Sequence, residues 1–502
     1  MDSDAQQCLD TARRRFLVLA GVGTASALAG CSGFDSGEAT DESLPDHLDE
    51  RVPDLLDRYD VPGASVALIE NGAVRWSGAY GTADPATGRS TTDDTVYLVQ
   101  SITKSVTAWG IMKLVERGEI ALDDPIEDHV TSWERPDAEY PWSAVTVRRL
   151  LSHSAGLPAG AYEAVPPDEE PPSLREALSG ETGGPVARPT DEPGTFRYSN
   201  PSYALLELLI EDVTGRDFAA YIDEEILTPL EMRDATFDRN DRVRSQLATE
   251  HLVDGTPVSE YHGPARAHGG LYATVEDVAR FVAAGTEGTG GEPAGRGVLS
   301  PERVDELYTP VIETTGFYDL ATDGSGLGHF AETLSNGERA VINGGQGTGS
   351  WNWFHAVPEA GIGLVVLTNS ERSVQLITDV VGMWADQSGL PSVALTRATR
   401  WVRAPVWILG LVAAGLALRL GYGVFAGKRS FHPFSERDRV PRVVLAGLVA
   451  AVLGLWWGVG RGTVGYFLPV IAEWLGLALL AVVVLALLTT LFPLTGDTER
   501  HE

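Results

Sequence analysis

Val99-Gln100-Ser101-Ile102-Thr103-Lys104-Ser105-Val106-Thr107 places a Ser-x-x-Lys at the start of a predicted helix. Ile102, Val106, Trp109, Ile111, Met112, Leu114 and Val115 follow at helical spacing, and Gly118 marks a stop. Positions i and i+3 share a helix face, so the Ser101 hydroxyl and Lys104 amine are expected one turn apart. A serine hydroxyl is a poor nucleophile until a base takes its proton. A lysine can be that base if burial lowers its pKa. Negative charge developing on Ser101 would also lie near the positive end of the helix dipole. A chance Ser three residues before a Lys is the plain alternative. Against it, the chain holds 38 Lys+Arg, of which three are lysine: Lys104, Lys113 and Lys428. Where arginine is used almost everywhere, Lys104 points to a property arginine lacks, the ability to deprotonate.

The 502 residues exceed a single domain. A formal net charge of -32, from 70 Asp+Glu, argues against nucleic acid as a partner. It fits solubility at high salt, and with so little lysine it reads as a halophilic surface. Arg13-Arg14-Arg15-Phe16-Leu17 precedes a short apolar run, Val18 to Ala29, as in a twin-arginine export signal. Leu28-Ala29-Gly30-Cys31 resembles a lipobox, with Cys31 as the lipidated first residue after a signal at 1–31. An uncleaved anchor is the alternative, and the run is short for a span. Cys8 would leave with the signal, so no disulfide is expected in the mature chain.

Residues 32–43 read as a tether. Leu44 to Tyr59 has helical spacing. Ala64 to Glu70, Asn71-Gly72 and Ala73 to Trp76 read as a β-hairpin. A long Pro-, Gly- and acid-rich stretch runs from about Leu150 to Gly194, as a rim, a lid or a solvated insertion. Pro201 opens a helix that stops near Gly215, and Thr274 with Asp277 signals another helix start. Trp351 to Val357 and Gly361 to Thr368 form a strand pair, and a helix from Ser373 to Ala385 closes the domain. Strands at both ends with helices between imply a mixed α/β fold: a mostly antiparallel sheet flanked by helices, with a helical subdomain. After a linker at 390–403, three apolar runs lie within 404–493, about Ala404 to Ala426, Val443 to Val459 and Tyr466 to Phe492, and a tail follows at 494–502. Each is long enough to span a bilayer, which makes lipid a partner. The basic loop Gly427 to Arg442 would be cytoplasmic, so the domain before it would face outside.

Three segments recur in a telling order: Ser101-Ile102-Thr103-Lys104, Tyr198-Ser199-Asn200 and Asn343-Gly344-Gly345. With Leu122-Asp123-Asp124-Pro125, the stretch from Leu151 to Pro158, and Gly269 to Thr274, this order resembles the serine β-lactamase-related hydrolases, the class C β-lactamase and penicillin-binding-protein-like family. The resemblance covers about 44–389, and neither the tether nor the apolar runs. It implies Ser101 as nucleophile, Lys104 as base and Tyr198 as proton relay. It further implies Asn200 as an orienting group for Lys104 or the substrate amide, and the N–H groups of Ser101 and Gln346 as oxyanion donors. Gly345 belongs to the third motif. That motif usually begins with Lys or His, whereas Asn343 brings a hydrogen-bond donor and no charge. The implied preference is for esters or amides without a carboxylate beside the cleaved bond. Arg339 is the nearby candidate to restore the charge.

Other motifs are weaker. Ser152-His153-Ser154-Ala155-Gly156 lacks the leading Gly of a nucleophile elbow, so His153 reads as a loop histidine. His262 and His268 could meet, yet no His-Glu-x-x-His occurs and no metal or cofactor is expected. The expectation is therefore an exported, membrane-anchored serine hydrolase of a small-molecule or peptide ester or amide; the sequence names no protein partner. A non-catalytic binding or sensor domain on the same fold, kept open by Asn343, and a D-Ala-type peptidase are the alternatives.

Overall fold

The computed structural model describes residues 43–491 apart from 289, 317, 430–443, 445–446, 449–450, 462–463 and 466–467. The export signal, Cys31, nearly all of the tether, the C-terminal tail and most of the basic loop lie outside the described residues.

Helix α1 (Leu44–Tyr59) buries Leu48, Val52, Leu55 and Leu56, the stripe its spacing predicts. Strands β1 (Gly63–Glu70) and β2 (Ala73–Asp84) form the hairpin, turned by Asn71 at φ +55° and Gly72 at φ +70°. Two consecutive left-handed residues match the twist of the flanking strands. After the short strands β3 (Arg89–Ser90) and β4 (Tyr97–Leu98) comes helix α2 (Thr103–Glu116), with Gly118 beyond its end at φ +71°. Helix α3 (Asn200–Thr214) is capped by Ser199, carries Pro201 in its first turn and ends at Gly215, φ +67°. Strand β5 (Tyr272–Ala273) pairs with β4, and α4 (Val275–Ala284) starts on a capping box of Thr274 and Asp277.

The remaining strands are β6 (Ile312–Glu313), β7 (Gly324–Ser325), β8 (Phe330–Thr333), β9 (Arg339–Gly347), β10 (Ser350–Val357) and β11 (Ile362–Thr368). Nine strands join in the order β3-β2-β1-β11-β10-β9-β8-β7-β6, antiparallel at every pair. The first and last strands of the sheet in sequence, β1 and β11, are thus paired. Helices cover both faces. Leu364 and Val366 face a core built with α1 and α5 (Val374–Gln387), whereas Val365 and Leu367 face a larger core with α2, α3 and α4. That double burial explains why β11 reads as an unbroken apolar run.

Within the residues read as a linker, those from Ala394 onward belong to α6 (Ala394–Phe425), which runs on into the first apolar segment. One correction concerns the C-terminal part. Among the described residues, two helices, α6 and α7 (Pro469–Leu491), are long and apolar enough to cross a membrane, in place of three. The middle run appears as a shorter apolar helix, Ala451–Gly460, and lies partly outside the described residues. Helix α6 is held to the body at its base. The Ala394 N–H donates to buried Glu332 on β8 at 2.7 Å, and Arg397 pairs with the same oxygen at 3.1 Å.

Candidate active site

Ser101 sits in a single 3-10 turn, Gln100–Ile102, that runs directly into α2. The i, i+3 spacing brings the Lys104 Nζ to 2.9 Å from the Ser101 Oγ. Lys104 is 1 % exposed, and among the described residues no carboxylate lies within ion-pairing distance of Nζ. Its amine also donates to the His268 carbonyl at 2.7 Å. Burial holds the Lys104 pKa well below the ordinary lysine range, so the neutral amine is favoured. The Tyr198 hydroxyl donates to the Ser101 Oγ at 2.8 Å from the other side. Lysine, serine and tyrosine thus form one continuous hydrogen-bonded path. The Tyr198 ring is gripped by His153 (4.3 Å between centroids) and stacks on Tyr318 (5.3 Å, 16° between planes).

Asn200, first residue of α3, borders the space beside Ser101, and its Oδ1 is buried without a hydrogen-bond partner among the described residues. An unpaired buried acceptor is costly, which makes this oxygen a natural receiver for a substrate N–H.

Asn343 is turned inward. Its Nδ2 donates to the Ser105 Oγ at 2.8 Å and the Gly328 carbonyl at 3.3 Å, and its Oδ1 accepts from the Gly344 N–H at 2.8 Å. An orienting role toward substrate would require these buried bonds to break. Arg339 does not supply the missing charge, because it pairs with Asp305 at 2.6 Å and Glu359 at 3.5 Å. Gly345 and Gly347 allow the end of β9 to lie against the nucleophile turn. A Cβ on Gly345 would stand 2.1 Å from the Val99 carbonyl oxygen, and one on Gly347 would stand 2.1 Å from the Gln100 Nε2. Gln346, between them, borders the same space as Ser101.

Several contributors are silent in the sequence. Gln100 adopts φ +54°, a left-handed conformation that a glutamine adopts at a cost. It is anchored through its Nε2 to Glu250 (3.1 Å) and Tyr261 (3.2 Å). Burial raises the Glu250 carboxyl to about 7. Glu207 on α3 accepts from the Arg266 and Ala267 N–H groups at 2.6 and 2.8 Å, fixing the segment whose next carbonyl, that of His268, receives Lys104. Burial, outweighing the Arg266 guanidinium, lifts the Glu207 carboxyl to about 7. His153 accepts the Ser199 N–H at 3.2 Å through Nδ1, and burial together with nearby Lys104 holds its pKa well below the ordinary range. It is a neutral spacer behind Tyr198, as its loop reading anticipates. His262 and His268 do not form a site: the His262 Nε2 bonds the Glu169 carbonyl at 2.8 Å, and among the described residues no group of three or more His, Cys, Asp or Glu is placed to hold a metal.

Ser101 stands between two cavities. One, about 180 Å³, has mainly apolar walls, including Tyr318, Phe330 and Trp351. The other, about 1280 Å³, is a cleft of mixed polar and apolar lining bordered by Gln100, Tyr162, Glu207, Arg266 and His268.

Comparison with known proteins identifies a family. Residues 48–380 match the Beta-lactamase family. Over 341 residues the chain is 26% identical to penicillin-binding protein 4 of Amycolatopsis lactamdurans, covering 66% of this chain and 87% of that protein. It is 28% identical to putative beta-lactamase-like 1 of Homo sapiens, covering 65% and 64%. The octameric penicillin-binding protein homologue from Pyrococcus abyssi superposes with a TM-score of 0.56 at 28% identity, over 69% of this chain and 77% of that one. The match spans most of the residues before the apolar helices, and the chain belongs to the Beta-lactamase family.

Proposed function

We propose that this chain is a membrane-anchored serine hydrolase that cleaves an ester or amide through an acyl-enzyme, with its catalytic body on the external face. One observation carries the reading: the Lys104–Ser101–Tyr198 path, built on a buried lysine without a carboxylate partner. In the first step the Ser101 proton passes to Lys104 as Oγ bonds the carbonyl carbon and the carbonyl electron pair moves onto oxygen. The oxyanion faces the N–H groups of Ser101 and Gln346. On collapse the carbon–leaving-group bond breaks and Tyr198 protonates the departing atom. The protonated Lys104 then returns its proton to the tyrosinate, leaving both groups neutral for deacylation. Water repeats the sequence on the acyl-enzyme, releasing the acid and free Ser101.

The inward Asn343 and the ion-paired Arg339 leave the third motif without a free cation, which favours substrates lacking a carboxylate beside the cleaved bond. The likeness to a protein named for binding penicillin supports a second reading, a peptidase of D-Ala type. Treating the full chain in bilayers with a fluorophosphonate and with a fluorescent penicillin, then mapping adducts by mass spectrometry, tests both. A fluorophosphonate adduct on Ser101, lost in Lys104→Met, with weak penicillin labelling is the expected result. Strong penicillin labelling moves the assignment to the peptidase. A folded chain that takes neither reagent removes the hydrolase reading.

A further inference from the structure

The smaller cavity is closed partly by the helices that continue into the apolar segments. One end opens at Ser101, beside Tyr198 and Gln346. The far wall comes from Leu395, Ala398 and Thr399 on α6 and from Leu468, just before α7. Leu468 and Ile471 pack on Val374, with Trp351 against them, so the base of the apolar helices touches the rim of the active site directly. The larger cleft, which Ser101 also borders, is the more polar of the two, with polar and apolar groups in about equal share. The nucleophile therefore stands where an apolar cavity walled in part by the base of the apolar helices meets a more polar cleft. A substrate with one hydrocarbon part and one polar part matches both sides at once.

We propose that the apolar cavity takes the hydrocarbon chain of the substrate, and that this enzyme acts on amphiphilic esters or amides drawn from the bilayer surface. This rests on the hydrolase reading above. Burying one methylene favours binding by an amount equivalent to about fourfold in an equilibrium constant. Reactivity should climb with chain length until the cavity is full, then level off. The chain occupies the cavity either as the acyl group or as the alcohol, and two ester series separate these cases.

The experiment uses the full chain in lipid nanodiscs, with active sites counted by fluorophosphonate. One series varies the acyl group of p-nitrophenyl esters from acetate to decanoate. The other varies the alcohol of alkyl acetates. We expect one series to gain at least about tenfold in kcat/KM over four added methylenes, well within the transfer value. Ala398→Trp on the α6 wall and Ala321→Phe, at a second position of the lining, should each move the optimum to shorter chains. Either variant suffices if it keeps the parent melting profile. Two flat series, or an optimum that neither folded variant moves, overturns the proposal while fluorophosphonate labelling of Ser101 leaves the hydrolase reading intact. Absence of both labelling and ester turnover, with Ser101→Ala identical to parent, defeats the hydrolase reading itself.

Discussion

Lys104→Met should remove activity and make the protein more stable. The side chain is 1 % exposed, and its Nζ meets two neutral oxygens, Ser101 Oγ at 2.9 Å and the His268 carbonyl at 2.7 Å, with the Tyr198 and Tyr203 rings at 5.0 and 5.6 Å. Burial depresses its pKa in the fold. The unfolded chain keeps an ordinary lysine pKa near 10.4, so holding the amine neutral in the fold at pH 7 costs stability. Methionine fills a similar volume without that cost, but it loses two hydrogen bonds of about 1 kcal/mol each and leaves the His268 carbonyl unpaired. Relief of the cost of keeping a buried amine neutral outweighs the lost bonds, and a higher melting temperature is expected. The sign follows from linkage. The unfolded state binds the extra proton, so wild-type stability rises with pH and the advantage of the variant shrinks toward pH 10. Acylation should fall by about 10²–10⁴, the usual contribution of a general base. Thermal melts from pH 6 to 10 with fluorophosphonate acylation rates measure both. A variant that melts below wild type at pH 7, or acylates at the wild-type rate, refutes the neutral-base argument.

Four further outcomes are expected. Tyr198→Phe, keeping the ring between His153 and Tyr318, should lower kcat by about 10²–10³ with little change in melting, as steady-state ester assays would show. Glu207 has a folded pKa of about 7, so its stabilisation is fully present below the ordinary carboxyl range and is lost as pH rises through about 7. Glu207→Gln should flatten that part of the stability profile, by up to about 3 kcal/mol in denaturant titrations at pH 4.5 and 8. Gly345→Ala should cost more than about 2 kcal/mol, since its Cβ would strike the Val99 backbone oxygen, whereas Gly347→Ala meets the end of the Gln100 side chain, which can yield by giving up its bonds to Glu250 and Tyr261, and should cost less; equal urea midpoints would contradict this ranking. Gln100→Gly should ease a left-handed residue and leave the protein as stable or up to about 1 kcal/mol more so, while slowing acylation by freeing the turn from Glu250 and Tyr261.

The legible part of the fold was that governed by neighbours in the chain. The α1 stripe, the Asn71-Gly72 turn, the Ser199-capped α3 with Pro201 and Gly215, and the Thr274 capping box all depend on contacts a few residues apart. The docking of the base of α6 onto Glu332, more than sixty residues earlier, is a contact that no local pattern announces. The middle apolar run likewise met the length criterion without emerging as one long helix among the described residues.

The site divides in the same way. Ser101 and Lys104 lie one helical turn apart because backbone geometry puts i and i+3 on one face, and the rarity of lysine makes the pair visible in a string of letters. What that pair can do was decided by packing. Burial strips water from Lys104, α3 and its preceding loop bring Tyr198 within 2.8 Å of Ser101, and Glu250 holds Gln100 in its costly conformation. The inward turn of Asn343 onto Ser105, and the apolar wall that α6 and Leu468 add beside the nucleophile, join residues more than a hundred positions apart. Desolvation and long-range contact exist only once the chain has closed on itself, so local spacing names the reacting groups while the tertiary fold sets their protonation, their reach and the shape of what they receive.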